Sequence, residues 1–354
     1  MKKKPPVNPA ALHCPVPLED SDRVQLGHGS GGKLSAQLVA RHFLPPFANP
    51  ALVQLGDASV VAIPGGELAI STDSFVVHPL EFPGGNIGAL AVHGTLNDVA
   101  MMGARAVCLT AGFVLEEGLS LAVLDRVIAE MAAAARAAGV PIVAGDTKVV
   151  ERGKADGMYI TTTGVGTVDP AFRPAPARAL PGDVVLVSAP IAHHGMAIMA
   201  AREGLSFESA ITSDTACLMP LVDALRPLGG DIHVLRDPTR GGVASALNEI
   251  AAASGVGIEI TDGALPVPGD VRAACEMLGL DPLYVANEGV MVVFVTEDRA
   301  DGALRALRAH PLGAEAARIG RVVAAHPRVV ALRTALGGTR VVDLLPGDQL
   351  PRIC

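Results

Sequence analysis

The stretch SLAVLDRVIAEMAAAARAAGVPIVAGDTK, residues 120–148, contains a helix signal followed directly by a strand signal. Ser120 is of a type that caps helix N-termini, and Gly139 is of the type that follows helix C-termini, so the spacing predicts a helix between them. The apolar run 140–144 then predicts a short strand that ends at Gly145-Asp146-Thr147-Lys148. A helix that leads directly into such a strand favours an α/β fold.

Composition supports the same fold class. Half of the residues are hydrophobic, but only 3% are aromatic and there is no Trp, which favours alanine-rich helices packed on Val/Ile strands over an aromatic-rich β-sandwich. A chain of 354 residues is long enough for two ordinary domains, each with its own core. The formal net charge of −8 argues against a nucleic-acid-binding surface.

The sequence also indicates a cytoplasmic protein. No uninterrupted apolar run approaches the length of a membrane span. Residues 1–17 carry lysines and prolines but no apolar core segment, so we expect a disordered tail rather than a signal peptide. Five scattered cysteines without a C-x-x-C pair suit a reducing cytosol and give no zinc-site spacing.

Four aspartates in the first half recur at the ends of apolar runs or inside an apolar helix. Asp57 and Asp73 end the runs 53–57 and 68–73, and Asp146 ends the run 140–146. Asp98 lies in a predicted helix that begins near Asn86, and burying an unpaired carboxylate there would be costly. One acid after a strand is commonplace, but four together indicate a shared site for Mg²⁺ and phosphate.

A glycine-rich segment, Gly27-His28-Gly29-Ser30-Gly31-Gly32-Lys33, follows the N-terminal tail. Its backbone N–H groups could converge on an anion, and Lys33 adds a positive charge. The segment matches a P-loop up to the lysine, but Leu34 stands where Ser or Thr would hold Mg²⁺. If a nucleotide binds here, carboxylates elsewhere must therefore hold the metal; a flexible glycine linker is the alternative.

The second half of the chain contains another predicted strand that is followed by an acid and a glycine pair. A proline-rich linker, 169–182, leads to a predicted strand at 184–188 and a helix at 194–203. The predicted strand 232–236 ends at Asp237-Pro238-Thr239-Arg240-Gly241-Gly242, where the glycine pair opens a helix whose N-terminus could receive phosphate. Glu288 precedes the predicted strand 290–295, and a terminal hairpin is predicted over 329–344.

The chain closes with Pro351-Arg352-Ile353-Cys354. Pro346, Gly347 and Pro351 disfavour helix, so we expect an extended, mobile arm that carries the Cys354 thiol. A cysteine at the very end rules out the prenylation motif, which needs it four residues from the terminus. A thiol on such an arm could visit one site and be handed to another protein.

These segments together resemble the HypE family of hydrogenase maturation factors. That family belongs to a superfamily with AIR synthetase, selenophosphate synthetase and thiamine-monophosphate kinase. The acidic motifs are shared by the superfamily, whereas the terminal Pro-Arg-Ile-Cys is much narrower and points to the HypE branch. Many relatives carry two adjacent acids where this chain has Asp57-Ala58.

The resemblance implies a two-domain PurM-like α/β (α+β) fold with a flexible C-terminal tail. The expected units are a disordered tail 1–20, an ATP-binding domain 21–168, a linker 169–182, a second AIR-synthase-like domain 183–345 and a mobile tail 346–354. The first domain is expected to form a homodimer through its sheet, with ATP and Mg²⁺ bound near that interface.

The resemblance also implies a chemistry. A HypF-type carbamoyltransferase would place a carbamoyl group on Cys354, and ATP-dependent dehydration would convert it to a thiocyanate for the cyanide ligand of a [NiFe]-hydrogenase. A HypC–HypD-type scaffold complex is a further expected partner. The expected catalytic residues are Cys354, Glu288 as the base, Lys148 as a stabiliser of negative charge, His93, and Arg352, which would steer the arm and favour the thiolate.

The remaining expected residues bind the nucleotide or the metal. The expected nucleotide-binding residues are Gly29, Ser30, Gly31, Gly32, Lys33, Asn86, Thr147, Thr239, Arg240, Gly241 and Gly242. The expected metal ligands are Asp57, Asp73, Asp98, Asp146 and Asp237.

Two other readings of the same residues stay open at this point. One keeps the ATP site and makes the phosphate acceptor a free small molecule, in which case loss of Cys354 would not affect ATP hydrolysis. The other makes the protein a scaffold whose terminal cysteine ligates iron, in which case nucleotide would bind without turnover.

Overall fold

The computed structural model describes residues 24, 26–29, 31–47, 49–204, 211–345, 347, 350 and 352–354. The expected tail 1–20, Ser30 and Pro351 lie outside these residues. The α-helices are α1 (Lys33–Leu38), α2 (Leu44–Phe47), α3 (Ile87–Met101), α4 (Leu121–Ala138), α5 (His193–Glu203), α6 (Met219–Leu225), α7 (Gly242–Ser254), α8 (Gly269–Leu278) and α9 (Glu297–Arg308). None of the described helices is both long and apolar enough to cross a membrane.

The strands form two main sheets and one short ribbon. They are β1 (Ser59–Ile63), β2 (Gly66–Phe75), β3 (Glu81–Phe82), β4 (Gly85–Asn86), β5 (Ala104–Glu116), β6 (Ile142–Val150), β7 (Met158–Val168), β8 (Val184–Val187), β9 (Ile232–Arg236), β10 (Gly257–Thr261), β11 (Val292–Val295), β12 (Ala317–Val323), β13 (Val330–Arg333) and β14 (Thr339–Val342). β3 and β4 make the ribbon.

The first sheet has the order β1-β2-β7-β5-β6. Only the β5–β6 pair is parallel, because α4 is the crossover between them. α3 packs on the face formed by β2 and β7, and α4 packs on α3. The helices come so close that a Cβ at Gly88 would lie 2.3 Å from the carbonyl oxygen of Val127. Only glycine therefore fits at position 88 without moving α4.

α3 begins where the sequence predicts and for a clear reason. The Asn86 side-chain oxygen accepts hydrogen bonds from the backbone N–H groups of Gly88 (2.9 Å) and Ala89 (3.1 Å), which is an N-cap. Nearly every residue of the helix is buried, since it lies between the sheet, α4 and the second half of the chain. The polar Asn97 and Asp98 are thereby carried into the interior.

The second sheet has the order β14-β13-β10-β12-β8-β11-β9. α7 packs on one face of this sheet, and α6 and α9 pack on the other. The strand β11, with the sequence VVFV, lies between β8 and β9 and is fully buried on both faces, as its unbroken apolar run predicts. The arrangement directs the end of β9 and the start of α7 toward the first sheet.

Most predicted elements are confirmed, but three predictions about the chain around the acids are wrong. The run 53–57 is not a strand: a 3-10 turn spans Leu52–Gln54 and Leu55 adopts a left-handed φ of 49°, so pairing starts only at β1. β2 continues past Asp73 and β6 continues past Asp146, because hydrogen bonding to β7 and β5 extends beyond these acids. Asp73 and Asp146 therefore lie within strands rather than at strand ends.

Candidate active site

A cleft of about 710 Å³ lies where the two sheets and their helices meet. Ser71, Asp73 and Phe75 of β2 and Asp98 of α3 line it from the first half. From the second half the lining consists of part of α7 and of Arg236, Asp237, Thr239 and Arg240. Glu288 and the terminal Cys354 complete the wall. The cleft thus collects side chains from segments more than 200 residues apart.

Three carboxylates form a cluster in this cleft. One oxygen each of Asp57, Asp98 and Asp237 lies within 4.8 Å of the others. Oδ2 of Asp57 and Oδ2 of Asp237 are buried without a hydrogen-bond partner among the described residues. Unsatisfied buried oxygens in such a group fit a divalent cation that prefers oxygen ligands.

Neighbouring groups hold two of these acids in place. Arg236 forms an ion pair with Asp57, whose side chain is only 3% exposed. The Ser71 hydroxyl donates a hydrogen bond of 2.6 Å to Asp98. These contacts orient the carboxylates but leave room for a further positive charge.

Burial and mutual repulsion disfavour the ionised forms of the acids in and beside the cluster. Burial, and then the charges of Asp73 and Asp237, raise the pKa of Asp98 well above its usual value. Burial raises the pKa of Asp237 to about 6, although Arg236 opposes this. Burial also raises the pKa of Asp73, and Arg240 opposes it. A bound cation would relieve the repulsion that causes part of these shifts.

The Cys354 thiol faces the same cleft. Burial raises the pKa of this thiol strongly; Arg240 opposes the rise, while Glu288, which also hydrogen-bonds the thiol, and Asp73 add to it. A thiolate at Cys354 would be the largest cause of the raised pKa of Arg240. In the docked position the thiol is therefore neutral and poorly nucleophilic at neutral pH.

Glu288, the expected base, is buried beside the Cys354 thiol. Its side chain is 2% exposed, and its Oε1 is buried without a partner among the described residues. Burial, followed by the charges of Asp237, Asp214 and Asp73, raises its pKa well above the usual value, and Arg240 opposes this. A carboxylate with a raised pKa is a stronger proton acceptor than an exposed glutamate.

Residues 352–354 are docked rather than extended into solvent. The Cys354 carbonyl accepts a hydrogen bond of 3.0 Å from the backbone N–H of Val76, and the Arg352 carbonyl accepts one of 3.3 Å from His78. Ile353 is buried, and Arg352 pairs with Asp156 at 2.5 Å. Movement of the arm, which the sequence suggests, stays a prediction.

Part of the expected nucleotide-binding set lines the cleft. Gly31, Thr239 and Arg240 do so, and Arg240 also donates a hydrogen bond of 3.4 Å to the Gly29 carbonyl. Gly241 and Gly242 start α7 in left-handed conformations, and a Cβ at Gly242 would lie 2.5 Å from the Leu283 carbonyl oxygen. The start of α7 thus needs glycine.

Other expected nucleotide-binding residues make different contacts. The Lys33 ammonium is 2.6 Å from the Asp343 carboxylate and does not line the cleft. Gly32 is the N-cap of α1, and Asn86 is the N-cap of α3, where both contacts of its oxygen stabilise the helix. These positions serve the local fold in the structure.

The β6 residues lie away from the cluster within one chain. Asp146 and Lys148 form a 2.5 Å ion pair on the outer strand, with side chains 71% and 68% exposed, and Thr147 is exposed beside them. The pairing with Lys148 lowers the pKa of Asp146. The structure therefore does not bring Asp146, Thr147 and Lys148 together with Asp57, Asp98 and Asp237.

His93 and Arg352 also lie outside the cleft lining. His93 Nδ1 is 3.1 Å from the Thr215 hydroxyl, and burial lowers its pKa to about 4, so the ring is neutral at neutral pH. The cation that acts on the Cys354 thiol is Arg240, which the sequence assigns only to phosphate.

Three residues of the site were not anticipated from the sequence. Arg236 pairs with Asp57, Asp214 accepts a 2.9 Å hydrogen bond from the Glu288 backbone N–H, and His194 lies 2.7 Å from the Ile353 carbonyl. Arg236 directly precedes the acidic motif at 237, which is the one available signal. Nothing local in the sequence marks the other two.

Comparison with known proteins gives a consistent result for both halves of the chain. Residues 55–168 match the N-terminal domain model of AIR synthase related proteins, and residues 181–332 match the C-terminal domain model. These segments contain the first and most of the second sheet.

Individual relatives cover almost the whole chain. A protein of Azotobacter vinelandii named carbamoyl dehydratase HypE is 54% identical over 94% of this chain and 97% of its own length. The solved HypE–HypF complex contains a chain that is 46% identical, with a TM-score of 0.83 over 87% of this chain and 99% of that one. A solved HypE in complex with ATP is 50% identical, with a TM-score of 0.79 over 94% of this chain and 100% of that one.

Proposed function

The chain belongs to the AIR synthase related proteins and, among them, to the HypE carbamoyl dehydratases, and from this premise we propose that it dehydrates a carbamoyl group carried on its own Cys354. The observation that carries the proposal is the docked C-terminal thiol, which lies in the carboxylate cleft beside Glu288. A cysteine placed there only for packing would not need a buried base next to it.

The reaction converts Cys–S–C(=O)–NH₂ and ATP into Cys–S–C≡N, ADP and phosphate. Oxygen leaves poorly from an amide, so transfer of the γ-phosphoryl group to the carbamoyl oxygen first makes it a good leaving group. The nitrogen loses two protons in total, and the C–O bond breaks as phosphate departs. The product thiocyanate would supply the cyanide ligand of a [NiFe]-hydrogenase.

Glu288 is proposed to take a proton from the carbamoyl nitrogen. Its contact with the Cys354 thiol puts a group attached to that sulfur within reach of the carboxylate. Arg240, whose charge acts on both Cys354 and Glu288, is proposed to stabilise negative charge that develops on the carbamoyl oxygen. The carbamoyl group itself is proposed to arrive while the tail is undocked, because the docked thiol is neutral.

Asp57, Asp98 and Asp237, with Asp73 beside them, would hold Mg²⁺. The unpartnered oxygens of Asp57 and Asp237 and the raised pKa values in the cluster fit this ion. When bound, Mg²⁺ would neutralise charge on the phosphates of ATP. Gly31, Thr239 and the glycine-led start of α7 are proposed to contact the nucleotide.

A homodimer is proposed to form through the first sheet. The face of this sheet turned away from α3 carries exposed apolar side chains, including Val61 and Ile63 of β1 and Ile70 of β2. Monomeric proteins rarely leave such a row uncovered. With ATP bound near this interface, Asp146, Thr147 and Lys148 of β6 would be available to the nucleotide, which would explain their exposure in a single chain.

The proposed partners are a HypF-type carbamoyltransferase, which loads Cys354, and a HypC–HypD-type scaffold, which receives the cyanide. A relative of this chain has been solved as a HypE–HypF complex. The proposed location is the cytoplasm, because it supplies ATP and its reducing conditions keep the Cys354 thiol free.

Intact mass spectrometry of the C-terminal peptide tests the proposal. The protein is incubated with a carbamoyl donor and a HypF-type partner, first without and then with ATP. We expect a carbamoyl adduct on Cys354 without ATP and the loss of one water with it. ATP hydrolysis that a free small molecule stimulates, and that Cys354→Ala does not affect, would contradict the proposal.

A further inference from the structure

The backbone of the docked tail is held by side chains of α5. His194 Nε2 lies 2.7 Å from the carbonyl oxygen of Ile353, and Arg202 donates a 2.7 Å hydrogen bond to the carbonyl of Arg352. Arg202 also bonds the carbonyl of His78, whose own N–H bonds the Arg352 carbonyl. Two side chains eight residues apart on α5 therefore bind the consecutive carbonyl groups of Arg352 and Ile353, just before Cys354.

The tautomer of His194 is set by its surroundings. Burial lowers its pKa to about 4, so the ring is neutral at neutral pH. A carbonyl oxygen can only accept, and Nε2 must therefore carry the proton that it donates to Ile353. Nδ1 is then an acceptor, and it receives the Ser213 hydroxyl at 2.8 Å. Ser213 in turn accepts a hydrogen bond from the Thr215 N–H at 3.1 Å.

The same loop also holds the proposed base. Asp214, the neighbour of Ser213, accepts a 2.9 Å hydrogen bond from the Glu288 N–H. On the other side of Glu288, its carbonyl accepts a 3.3 Å hydrogen bond from the Asn97 side chain. A Cβ at Gly289 would overlap the Asp214 carbonyl, 1.8 Å away, so the loop and the base segment are in direct contact.

We propose that His194, supported by Ser213 and Arg202, is a positioning residue that docks the C-terminal tail and aligns its terminal cysteine with Glu288. This inference rests on the proposed function for its purpose, but docking itself requires no catalysis. His194 acts on the peptide group before Cys354 and touches neither the thiol nor the base. Its loss should therefore weaken docking and dehydration while the carbamoyl transfer to an undocked tail continues.

Alkylation of Cys354 measures docking directly. Iodoacetamide modification of the C-terminal peptide is followed by mass, so the other cysteines do not interfere. A hydrogen bond contributes about 1 kcal/mol, which corresponds to about a fivefold change in the open population. We expect His194→Ala to raise the alkylation rate of Cys354 about fivefold, and Arg202→Gln to raise it severalfold.

Two further variants separate positioning from general loss of structure. His194→Gln keeps a side-chain N–H at a similar reach, so we expect it to restore much of the slow alkylation. His233→Ala removes another buried histidine, which bonds Asp183 in the second half, and should leave the alkylation rate unchanged. If His194→Ala does not fold, Ser213→Ala is the alternative. It keeps His194 but removes the hydroxyl that fixes the proton on Nε2, so it should also raise the alkylation rate of Cys354.

Dehydration of pre-carbamoylated protein is measured in parallel. We expect the dehydration rate of His194→Ala to be at least fivefold lower, while Cys354 of this variant accepts the carbamoyl group at the normal rate. Unchanged alkylation in both His194→Ala and Ser213→Ala would overturn the inference. If instead alkylation responds as expected but the unaltered protein never loses water from its carbamoylated peptide, the docking role stands and the proposed function fails.

Discussion

The guanidinium of Arg236, at the end of β9, forms an ion pair with the buried carboxylate of Asp57, just before β1. The pair joins the two halves of the chain at the cleft and neutralises one acid of the cluster. Arg236 also bonds Glu249 of α7 at 2.6 Å. The site thus contains a cation of its own next to the carboxylates proposed to bind Mg²⁺.

Replacing this cation should make the metal more important for stability. Arg236→Gln leaves the Asp57 carboxylate buried without its partner, so we expect a loss of about 2 kcal/mol in metal-free protein. Added Mg²⁺ should then raise the unfolding temperature more than it does in the unaltered protein. Thermal unfolding with EDTA and with Mg²⁺ measures both effects, and Arg318→Gln, which loses only an exposed pair with Glu297, is the control. Equal Mg²⁺ effects in both variants would contradict the expectation.

Neutralising Asp98 should reduce Mg²⁺-dependent ATP turnover without destabilising the fold. Asp98→Asn removes a charge that burial and neighbouring acids disfavour, so metal-free protein should be as stable as the unaltered protein or more so. Mg²⁺-dependent ATP turnover should fall more than about tenfold, which corresponds to about 1.4 kcal/mol. Asp146→Asn, at an exposed position on β6, should leave metal-free stability unchanged. Full turnover in Asp98→Asn would remove this residue from the site.

The sequence predicts local elements well because their signals are local. The cap at Asn86, the helix up to Gly139 and the apolar strand β11 all follow from neighbouring residues, and the structure confirms them. The same reasoning identifies Asp57 as a cleft acid but assigns it to a strand. Left-handed backbone at Leu55 breaks that strand, and nothing in the residue type indicates it.

The contacts that complete the site depend on tertiary structure. His194 meets Ile353 across 159 positions of sequence, and although Ile353 belongs to the terminal motif, no motif marks His194 as its partner. Lys148 and Asp146 show the opposite case: the motif is clear, but the outer strand β6 carries both away from the cluster of the same chain. A motif indicates chemistry, whereas its place relative to the cleft follows from sheet order and oligomeric state.

Removing the proposed base should stop the reaction after its first half. Glu288→Gln keeps the size of the side chain but cannot accept a proton, so the C-terminal peptide should gain carbamoyl and then retain it in the presence of ATP. Glu297→Gln, on the exposed start of α9, is the control and should give thiocyanate at the normal rate. If the peptide of Glu288→Gln loses water normally, a different group is the base.

The pH dependence of stability should report on Asp214. Burial raises the pKa of this carboxyl to about 7, so between pH 4 and 7 the folded protein holds a proton that the unfolded chain releases. Its contribution to stability is therefore present at low pH and is lost as the pH rises through 7. Asp214→Asn keeps an oxygen for the Glu288 N–H and stays neutral, so at pH 8 it should be more stable than the unaltered protein by at least about 1 kcal/mol. Denaturant unfolding with EDTA at pH 5 and pH 8 checks this. If the free energy of unfolding changes by the same amount between the two pH values in both proteins, Asp214 is ionised in the folded protein at both.

Extending the chain beyond Cys354 tests whether the end itself must dock. The Cys354 carbonyl bonds the Val76 N–H at 3.0 Å, Ile353 is buried, and the thiol points into the cleft, so residues added after Cys354 would have to leave through this enclosed corner. Appending Gly-Ser-Gly leaves the thiol, Arg352 and the carboxylate cluster unchanged.

Surface termini tolerate extension, so a tail with a merely structural role predicts little effect. A docking role predicts that ATP binding survives while dehydration of the carbamoylated cysteine falls more than about tenfold, which corresponds to about 1.4 kcal/mol lost from the docked state. The mass of the C-terminal peptide decides between the two, and equal thiocyanate yields in extended and unextended protein would mean that the chain end is open to solvent even when docked.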